Sequence, residues 1–150
     1  FNVSHSGGVA VLAFARRHQV GVDVEKLRVD YEAQSRARRF FTEIEYRELE
    51  SIPESQRVEA FFDCWTRKEA FMKATGKGFH MGMDSFAVSV DAMQPRVLHV
   101  EGGNPEEWKV FSLEVGGRYA SSLVVKNPDP VYLRTMSATV SNSSSVQLDL

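Results

Sequence analysis

Three carboxylates and one lysine in this chain have the residue types and the spacing of a divalent-cation site. Asp23 and Glu25 alternate with valines, so both side chains point to one face of a predicted strand. Glu69 lies within the apolar stripe of a predicted helix, where a carboxylate is costly unless it is paired or bound to a cation. Three oxygen donors without a soft ligand suit Mg²⁺ or Mn²⁺ rather than zinc. With Lys73 placed to stand near phosphates, the set indicates phosphoryl-type transfer.

Each of these residues also has an ordinary structural interpretation. Glu69 precedes Lys73 by one helical turn, in the orientation that favours a salt bridge along the helix. Asp23 and Glu25 fit an exposed strand face. Lys68 points away from Glu69 on the helical wheel, where it is solvated, pairs with a carboxylate or binds phosphate. The residues alone leave both interpretations open.

Strands are predicted in both halves of the chain. Two apolar runs, residues 9–15 and 20–25, predict an antiparallel hairpin. In the second run the valines share one face, and Asp23 and Glu25 share the other with Gly21. Glycine pairs separate several later runs, which predicts an antiparallel meander. Its strands are expected at residues 85–90, 96–100, 109–115 and 119–126.

Three helices are predicted between these two groups of strands. Residues 31–41 have helical spacing, and the capping-box pattern of Thr42 and Glu45 begins a second, short helix. The third and longest helix is predicted to run from Ser55 to Gly76. Together the elements predict an α+β fold in which a mostly antiparallel sheet packs against a long helix.

The length and the end of the chain indicate one domain with an extension. At 150 residues the chain is large enough for a single core, predicted over residues 1–130. Residues 131–150 are rich in serine and threonine and are expected to form a loose tail. Phe1 is not an initiator methionine, so we expect a fragment or a processed chain.

The bulk composition argues against several classes of protein. A net charge of −2 disfavours a general binder of nucleic acid or of anionic membranes. No run of residues is long and apolar enough to predict a membrane span. The single cysteine, Cys64, cannot form an internal disulfide, which favours the reducing cytoplasm. We therefore expect a cytoplasmic protein without nucleic-acid or membrane partners.

Two motifs in the chain resemble the signature motifs of 4′-phosphopantetheinyl transferases. They are GVDVE at residues 21–25 and WxxKEAxxKxxGxG at residues 65–78, in the order and at the spacing of that family. Other stretches resemble the surfactin-synthetase-activator type of the family. These are FNVSHS at residues 1–6, RFFTEIEY at residues 39–46 and DSFAV at residues 84–88.

The resemblance implies an enzyme with a specific reaction. Members of the family move the phosphopantetheine arm of coenzyme A onto a serine of an acyl, peptidyl or aryl carrier protein. They release adenosine 3′,5′-bisphosphate. By analogy, Asp23, Glu25 and Glu69 hold Mg²⁺, or alternatively Mn²⁺, against the pyrophosphate of coenzyme A. Glu69 is also the candidate catalytic base for the carrier serine, directly or through a water molecule.

The resemblance also implies contacts with coenzyme A and a partner lobe. Ser4, His5 and Lys73 match family positions that bind coenzyme A. The surfactin type is a pseudo-dimer of two similar lobes with coenzyme A between them, and this chain resembles the second lobe. A missing N-terminal lobe, or a second lobe, is therefore an expected partner.

Two alternative functions remain open at this point. One is a non-catalytic module that binds a carrier protein or pairs with another lobe. The other is a Mg²⁺-dependent hydrolase of nucleotide pyrophosphates, in which water replaces the carrier serine. Retention of all three carboxylates, Asp23, Glu25 and Glu69, argues against the non-catalytic module.

Overall fold

A computed structural model describes residues 1–28, 32–78, 81–140 and 146–149, and one long helix lies at its centre. The elements of the described residues, in chain order, are β1 (Asn2–Ser6), β2 (Val9–Ala13), β3 (Val20–Lys26), α1 (Ala33–Phe40), α2 (Glu43–Ser51), α3 (Glu54–Thr75), β4 (Phe86–Val88), β5 (Val97–Val100), β6 (Trp108–Ser112), β7 (Tyr119–Lys126), β8 (Ser137–Val140) and β9 (Val146–Asp149). Antiparallel strands and helices make this an α+β fold, as the sequence predicts.

The helices begin and end close to the predicted residues because local signals set their ends. The Thr42 hydroxyl accepts from the backbone amide of Glu45, and the Glu45 carboxylate accepts from the backbone amide of Thr42, which completes the capping box. α3 ends at Gly76, whose positive φ of 69° suits a residue without a side chain. The part of the first predicted helix at Tyr31 lies outside the described residues.

The apolar face predicted for α3 is too narrow. Phe61, Phe62 and Met72 of its apolar stripe are buried, but so are Arg67 and Lys68. The second half of α3 is enclosed because the sheet covers one side, while β4, α1 and α2 contact other sides. Burial of charged side chains at such positions requires partners within the protein.

The predicted hairpin between residues 9–15 and 20–25 is wrong. β2 pairs with β1, and β3 pairs with β7, both in antiparallel register. The reason is the turn at Gly7 and Gly8, whose positive φ values of 54° and 89° allow a two-residue connection between β1 and β2. The partner of β3 comes instead from far along the chain.

The later strands form a meander only in part. β6 and β7 pair as an antiparallel hairpin and continue the sheet in the order β3-β7-β6. β4 and β5 form a separate two-stranded sheet, and no ladder joins β5 to β6 in the described residues. The glycine pair Gly116 and Gly117 is in the predicted turn between β6 and β7, with positive φ at both residues.

The expected loose tail contains regular structure. β8 and β9 pair in antiparallel register, and the expectation of a loose tail over residues 131–150 stays a prediction. Residues 132–139 are exposed, and residues 141–145 and 150 lie outside the described part. The predicted domain boundary near residue 130 stays a prediction.

The three-stranded sheet separates two apolar clusters. The larger cluster surrounds α3 and includes Phe61, Phe71 and Val124. The smaller one lies on the other face, where Val22 and Leu123 pack with β2. This arrangement confirms the predicted alternation of β3, because the face opposite Val22 is turned towards α3. Among the described residues, no helix combines the length and the apolar character needed to cross a membrane.

Candidate metal centre

Close packing of β3 on α3 places the predicted carboxylates on two adjoining elements. A Cβ atom at Gly21 would collide with the backbone carbonyl oxygen of Ala70 and the backbone nitrogen of Ala74. A glycine at this position therefore lets the strand approach the helix backbone directly. Asp23 and Glu25 follow on the same face of β3, and Glu69 directly precedes Ala70 on α3.

Asp23 is almost fully buried, and only one of its two carboxylate oxygens has hydrogen-bond donors in the described residues. Its Oδ1 accepts from the Ser4 hydroxyl at 2.7 Å and from the Lys73 ammonium at 2.8 Å. Its Oδ2 is buried and has no hydrogen-bond partner among the described residues. A buried carboxylate oxygen without a donor is costly, so this atom marks a position that suits a cation.

Glu25 and Glu69 are half-buried carboxylates in an acidic environment. Desolvation and the charge of Asp23 raise the pKa of Glu25, although Ser6, Arg28 and Lys73 lower it in part. Desolvation and Asp23 also raise the pKa of Glu69, while Lys73 opposes the increase and Glu25 adds to it. Each of the three carboxylates thus lies within the electrostatic reach of the others.

Lys73 pairs with Asp23 across the two elements rather than with Glu69 along the helix. Its ammonium donates to Asp23 Oδ1, to Ser4 Oγ at 3.1 Å and to the Val22 carbonyl at 3.1 Å. Within the described ranges, the only salt bridge of Lys73 is with Asp23. The simple structural interpretation of Glu69, a helical pair with Lys73, is therefore wrong.

The residues fit a hard divalent cation by their chemistry. The donor set is three carboxylates, one of which has a buried oxygen without a partner. As the side chains stand, no three acidic, histidine or cysteine residues of the described chain are close enough together to hold a metal. Asp23, Glu25 and Glu69 would repel one another when ionised, and a cation bound among them would remove that repulsion.

The structure brings two of the three predicted coenzyme A residues to the carboxylates. Ser4 is buried against Asp23, and Lys73 lies beside both. His5 is exposed and follows Ser4 in the strand, so it lies on the opposite face of β1.

Lys68 has a structural partner instead of a free ammonium. Its Nζ donates to both carboxylate oxygens of Glu45, at 2.7 and 2.8 Å, and to the carbonyl of Phe86. Both side chains of this pair are fully buried. This geometry favours the carboxylate-paired interpretation of Lys68 over a phosphate contact.

Sequence reasoning did not identify Asn2 and Ser6, which also contact β3. Asn2 Oδ1 accepts from the Val22 amide, and the Ser6 hydroxyl donates to Glu25 at 3.2 Å. The available signal was the alternation of Asn2, Ser4 and Ser6 along one strand. Such alternation places all three side chains on one face.

A surface groove lies elsewhere in the described part of the chain. It has a volume of about 630 Å³ and is lined by residues around β5 and β6, including Val97, Trp108 and Phe111. It contains none of the predicted site residues, so we locate the candidate site by its chemistry.

A family model and several curated proteins match this chain. The model of the 4′-phosphopantetheinyl transferase superfamily matches residues 19–124. 4′-Phosphopantetheinyl transferase HetI of Nostoc sp. is 46% identical over 98 residues, which cover 65% of this chain and 41% of the relative. For 4′-phosphopantetheinyl transferase Sfp of Bacillus subtilis the identity is 37% over 131 residues, covering 86% and 56%. 4′-Phosphopantetheinyl transferase gsp of Aneurinibacillus migulanus is 38% identical, covering 81% and 49%. The chain spans about half the length of these relatives.

A solved structure shares the fold. The crystal structure of Thermotoga maritima holo-[acyl-carrier-protein] synthase (AcpS) superposes with a TM-score of 0.57 at 21% identity. The match covers 88% of this chain and 82% of that chain. At this identity the likeness bears on the architecture alone.

Proposed function

Because the chain belongs to the 4′-phosphopantetheinyl transferase superfamily, we propose that it is the carboxylate-bearing lobe of such an enzyme, transferring phosphopantetheine from coenzyme A to a carrier-protein serine. The observation that carries this proposal is the buried Asp23 Oδ2, without a partner among the described residues, beside two desolvated carboxylates. The serine oxygen bonds to the phosphorus that carries pantetheine. The pyrophosphate bond breaks, and adenosine 3′,5′-bisphosphate leaves.

Asp23, Glu25 and Glu69 would hold Mg²⁺, with Mn²⁺ as the alternative. When bound, this cation neutralises charge on the pyrophosphate of coenzyme A. The all-oxygen donor set supports the choice, as do the raised pKa values of Glu25 and Glu69, which result first from desolvation and then from the charge of Asp23.

Glu69 is the proposed general base for the carrier serine. It is half-buried, it has no salt bridge in the described part of the chain, and its pKa is raised. A carboxylate with a raised pKa accepts a proton more readily than an ordinary one. Glu69 would therefore take the serine proton, directly or through a water molecule.

Lys73 and His5 would contribute positive charge or donors towards coenzyme A. The side chain of Lys73 is 29% exposed, so its charge reaches solvent beside the carboxylates while its ammonium stays bound to Asp23. His5, on the opposite face of β1, would bind a phosphate away from the carboxylates. Ser4 is the third residue predicted to bind coenzyme A.

The partners and location follow from the same proposal. The carrier would be an acyl, peptidyl or aryl carrier protein, and an N-terminal or second lobe would complete the coenzyme A site. A free, buried Cys64 is compatible with the reducing cytoplasm, which is the proposed location.

Release of adenosine 3′,5′-bisphosphate tests the reaction. The chain is incubated with coenzyme A and Mg²⁺, with and without apo carrier protein, and the nucleotides are separated by chromatography. Release that requires the carrier supports the transferase. Release without a carrier would indicate a hydrolase, and no release with acyl, peptidyl or aryl carriers would contradict catalysis by this chain.

A matched pair of variants identifies the residues responsible. Asp23→Asn removes one charge from the proposed cation site and should reduce the release by orders of magnitude. Glu43→Gln removes one charge from an exposed surface pair with Arg47 and should leave the release unchanged. Equal activity of the two variants would overturn the assignment of Asp23.

A further inference from the structure

The polar side chains of β1 take the place of a neighbouring strand along one edge of β3. Asn2, Ser4 and Ser6 alternate along β1, and their oxygens accept hydrogen bonds of 3.0, 3.4 and 3.1 Å from backbone amides of β3. The donors are the amides of Val22, Val24 and Lys26. The other edge of β3 pairs with β7. Three side chains therefore satisfy amides that a strand would otherwise bind.

Ser4 and Ser6 also donate hydrogen bonds to the carboxylates of β3. The Ser4 hydroxyl donates to Asp23 Oδ1 at 2.7 Å, and the Ser6 hydroxyl donates to Glu25 Oε2 at 3.2 Å. In each case the carboxylate belongs to the residue just before the amide that binds the serine. The arrangement thus repeats with the two-residue period of the strand.

The hydrogen-bonding capacity of a hydroxyl determines which group donates in each of these contacts. A hydroxyl has one proton and two acceptor lone pairs. Because a backbone amide of β3 occupies one lone pair of each serine, its proton is directed to the carboxylate. Ser4 accepts a second time, from Lys73 at 3.1 Å, so its hydrogen-bonding capacity is filled. One oxygen of each carboxylate is thereby engaged, and Asp23 Oδ2 has no hydrogen-bond partner among the described residues.

We propose that Ser4 and Ser6 are positioning residues for the cation site. Each hydroxyl links a carboxylate of β3 to a backbone amide of β3. It thereby determines which carboxylate oxygen is available to the cation. This role uses the hydroxyl of Ser4 on Asp23 rather than on coenzyme A. The inference rests on the proposed metal site and adds two residues that hold its ligands in place.

Mn²⁺ binding to the full chain tests the inference without reference to activity. Free Mn²⁺ is measured by electron paramagnetic resonance during a titration, and circular dichroism verifies the fold of each variant. Ser6→Ala should weaken Mn²⁺ binding by about 10-fold or more, in the range typical of residues that orient metal ligands. Ser6→Thr keeps the hydroxyl and should restore the affinity.

Further variants separate the hydroxyl from the strand that carries it. Val3→Ala alters the opposite face of the same strand, at a residue that is 42% exposed. This variant should bind Mn²⁺ as the unmodified chain does. Ser6→Cys replaces the hydroxyl with a slightly larger thiol, which is a weaker donor, so it should resemble Ser6→Ala. Ser4→Ala should weaken binding as well, because Asp23 Oδ1 is then held by Lys73 alone and is no longer tied through a hydroxyl to the backbone of β3.

The outcomes distinguish this inference from the metal site on which it rests. Unchanged Mn²⁺ affinity in folded Ser6→Ala and Ser4→Ala overturns the positioning role and leaves the metal site standing. If the unmodified chain binds no Mn²⁺, or if Asp23→Asn binds it equally well, the metal site fails and the positioning role fails with it.

Discussion

Gly21 determines how closely the carboxylate strand approaches the long helix. A Cβ atom there would meet backbone atoms of Ala70 and Ala74, which cannot rotate away as a side chain can. The resulting short separation allows Lys73 on α3 to reach Asp23 on β3 at 2.8 Å. A single position without a side chain is therefore part of the geometry of the site.

Gly21→Ala should destabilise the chain through this collision. We expect a loss of about 1–3 kcal/mol or more in the free energy of unfolding, as for other overpacked core positions. Urea unfolding followed by circular dichroism measures it. Gly82→Ala is the matched control, because its Cβ would meet only the movable carboxylate of Asp84. Equal stability of both variants would show that β3 can move away from α3.

Residue types and spacing grouped three carboxylates into one candidate cation site, which stays a prediction, but did not reveal their hydrogen-bond partners. The prediction grouped Asp23, Glu25 and Glu69 because hard oxygen donors on two elements suggest one ion. It could not decide between interpretations of Lys68, since its partner Glu45 is distant in sequence. The contact of Ser6 with Glu25 was missed for the same reason.

At the scale of elements, the buried ion pair of Glu45 and Lys68 connects α2, α3 and β4. Glu45 on α2 accepts from Lys68 on α3 and from the backbone amide of Val88 on β4. It also accepts from the amide and hydroxyl of Thr42, which complete its capping box. Lys68 directly precedes Glu69, so this pair fixes the helix turn that carries the proposed base.

Replacing either Lys68 or Glu45 alone should lower the free energy of unfolding. Lys68→Met leaves the Glu45 carboxylate buried without its cation, and we expect a loss of about 3–5 kcal/mol in the free energy of unfolding. Glu45→Gln leaves the ammonium of Lys68 in the same position and should cost a similar amount. Urea titrations provide both values.

The double variant Glu45→Gln/Lys68→Met tests whether the two residues act as a pair. Its loss should be smaller than the sum of the single losses by about 1 kcal/mol or more, because removal of both charges leaves neither uncompensated. The exposed pair of Glu43 and Arg47 provides the comparison, with an expected coupling of at most about 0.5 kcal/mol. Additive losses at Glu45 and Lys68 would contradict the coupling.

The elements themselves were predicted better than their partners. Helix ends depend on nearby residues such as Thr42 and Gly76, and these signals are visible in the sequence. Strand pairing depends on residues far apart, which explains why β3 was assigned to the wrong partner. β3 instead pairs with β7, whose residues 119–126 were themselves predicted as a strand.

At the scale of the whole molecule, the carboxylates lie where the central helix and the sheet meet. One apolar cluster surrounds α3, and a second covers the other face of the sheet. The proposed cation site therefore links β3 with α3 and is assembled only in the folded chain. Any cation that binds there should stabilise the fold as a whole.

Mg²⁺ should therefore raise the melting temperature of the chain. At 100 times its dissociation constant the cation adds about 2.7 kcal/mol to the free energy of unfolding. For a chain of this size that corresponds to a rise of roughly 5–10 °C. Thermal scans with and without Mg²⁺ measure the shift, and Asp23→Asn should show little of it. An equal shift in both proteins would place the stabilising cation elsewhere.

The most direct test of the central claim is the intact mass of an apo carrier protein after incubation with this chain, coenzyme A and Mg²⁺. Glu69→Gln is run in parallel, since it keeps the size of the side chain but removes the proposed base and ligand. We predict that the carrier gains the mass of one phosphopantetheine arm with the unmodified chain and none with the variant. A carrier of unchanged mass, or an equal gain with Glu69→Gln, would contradict the claim that this lobe performs the transfer through its three carboxylates.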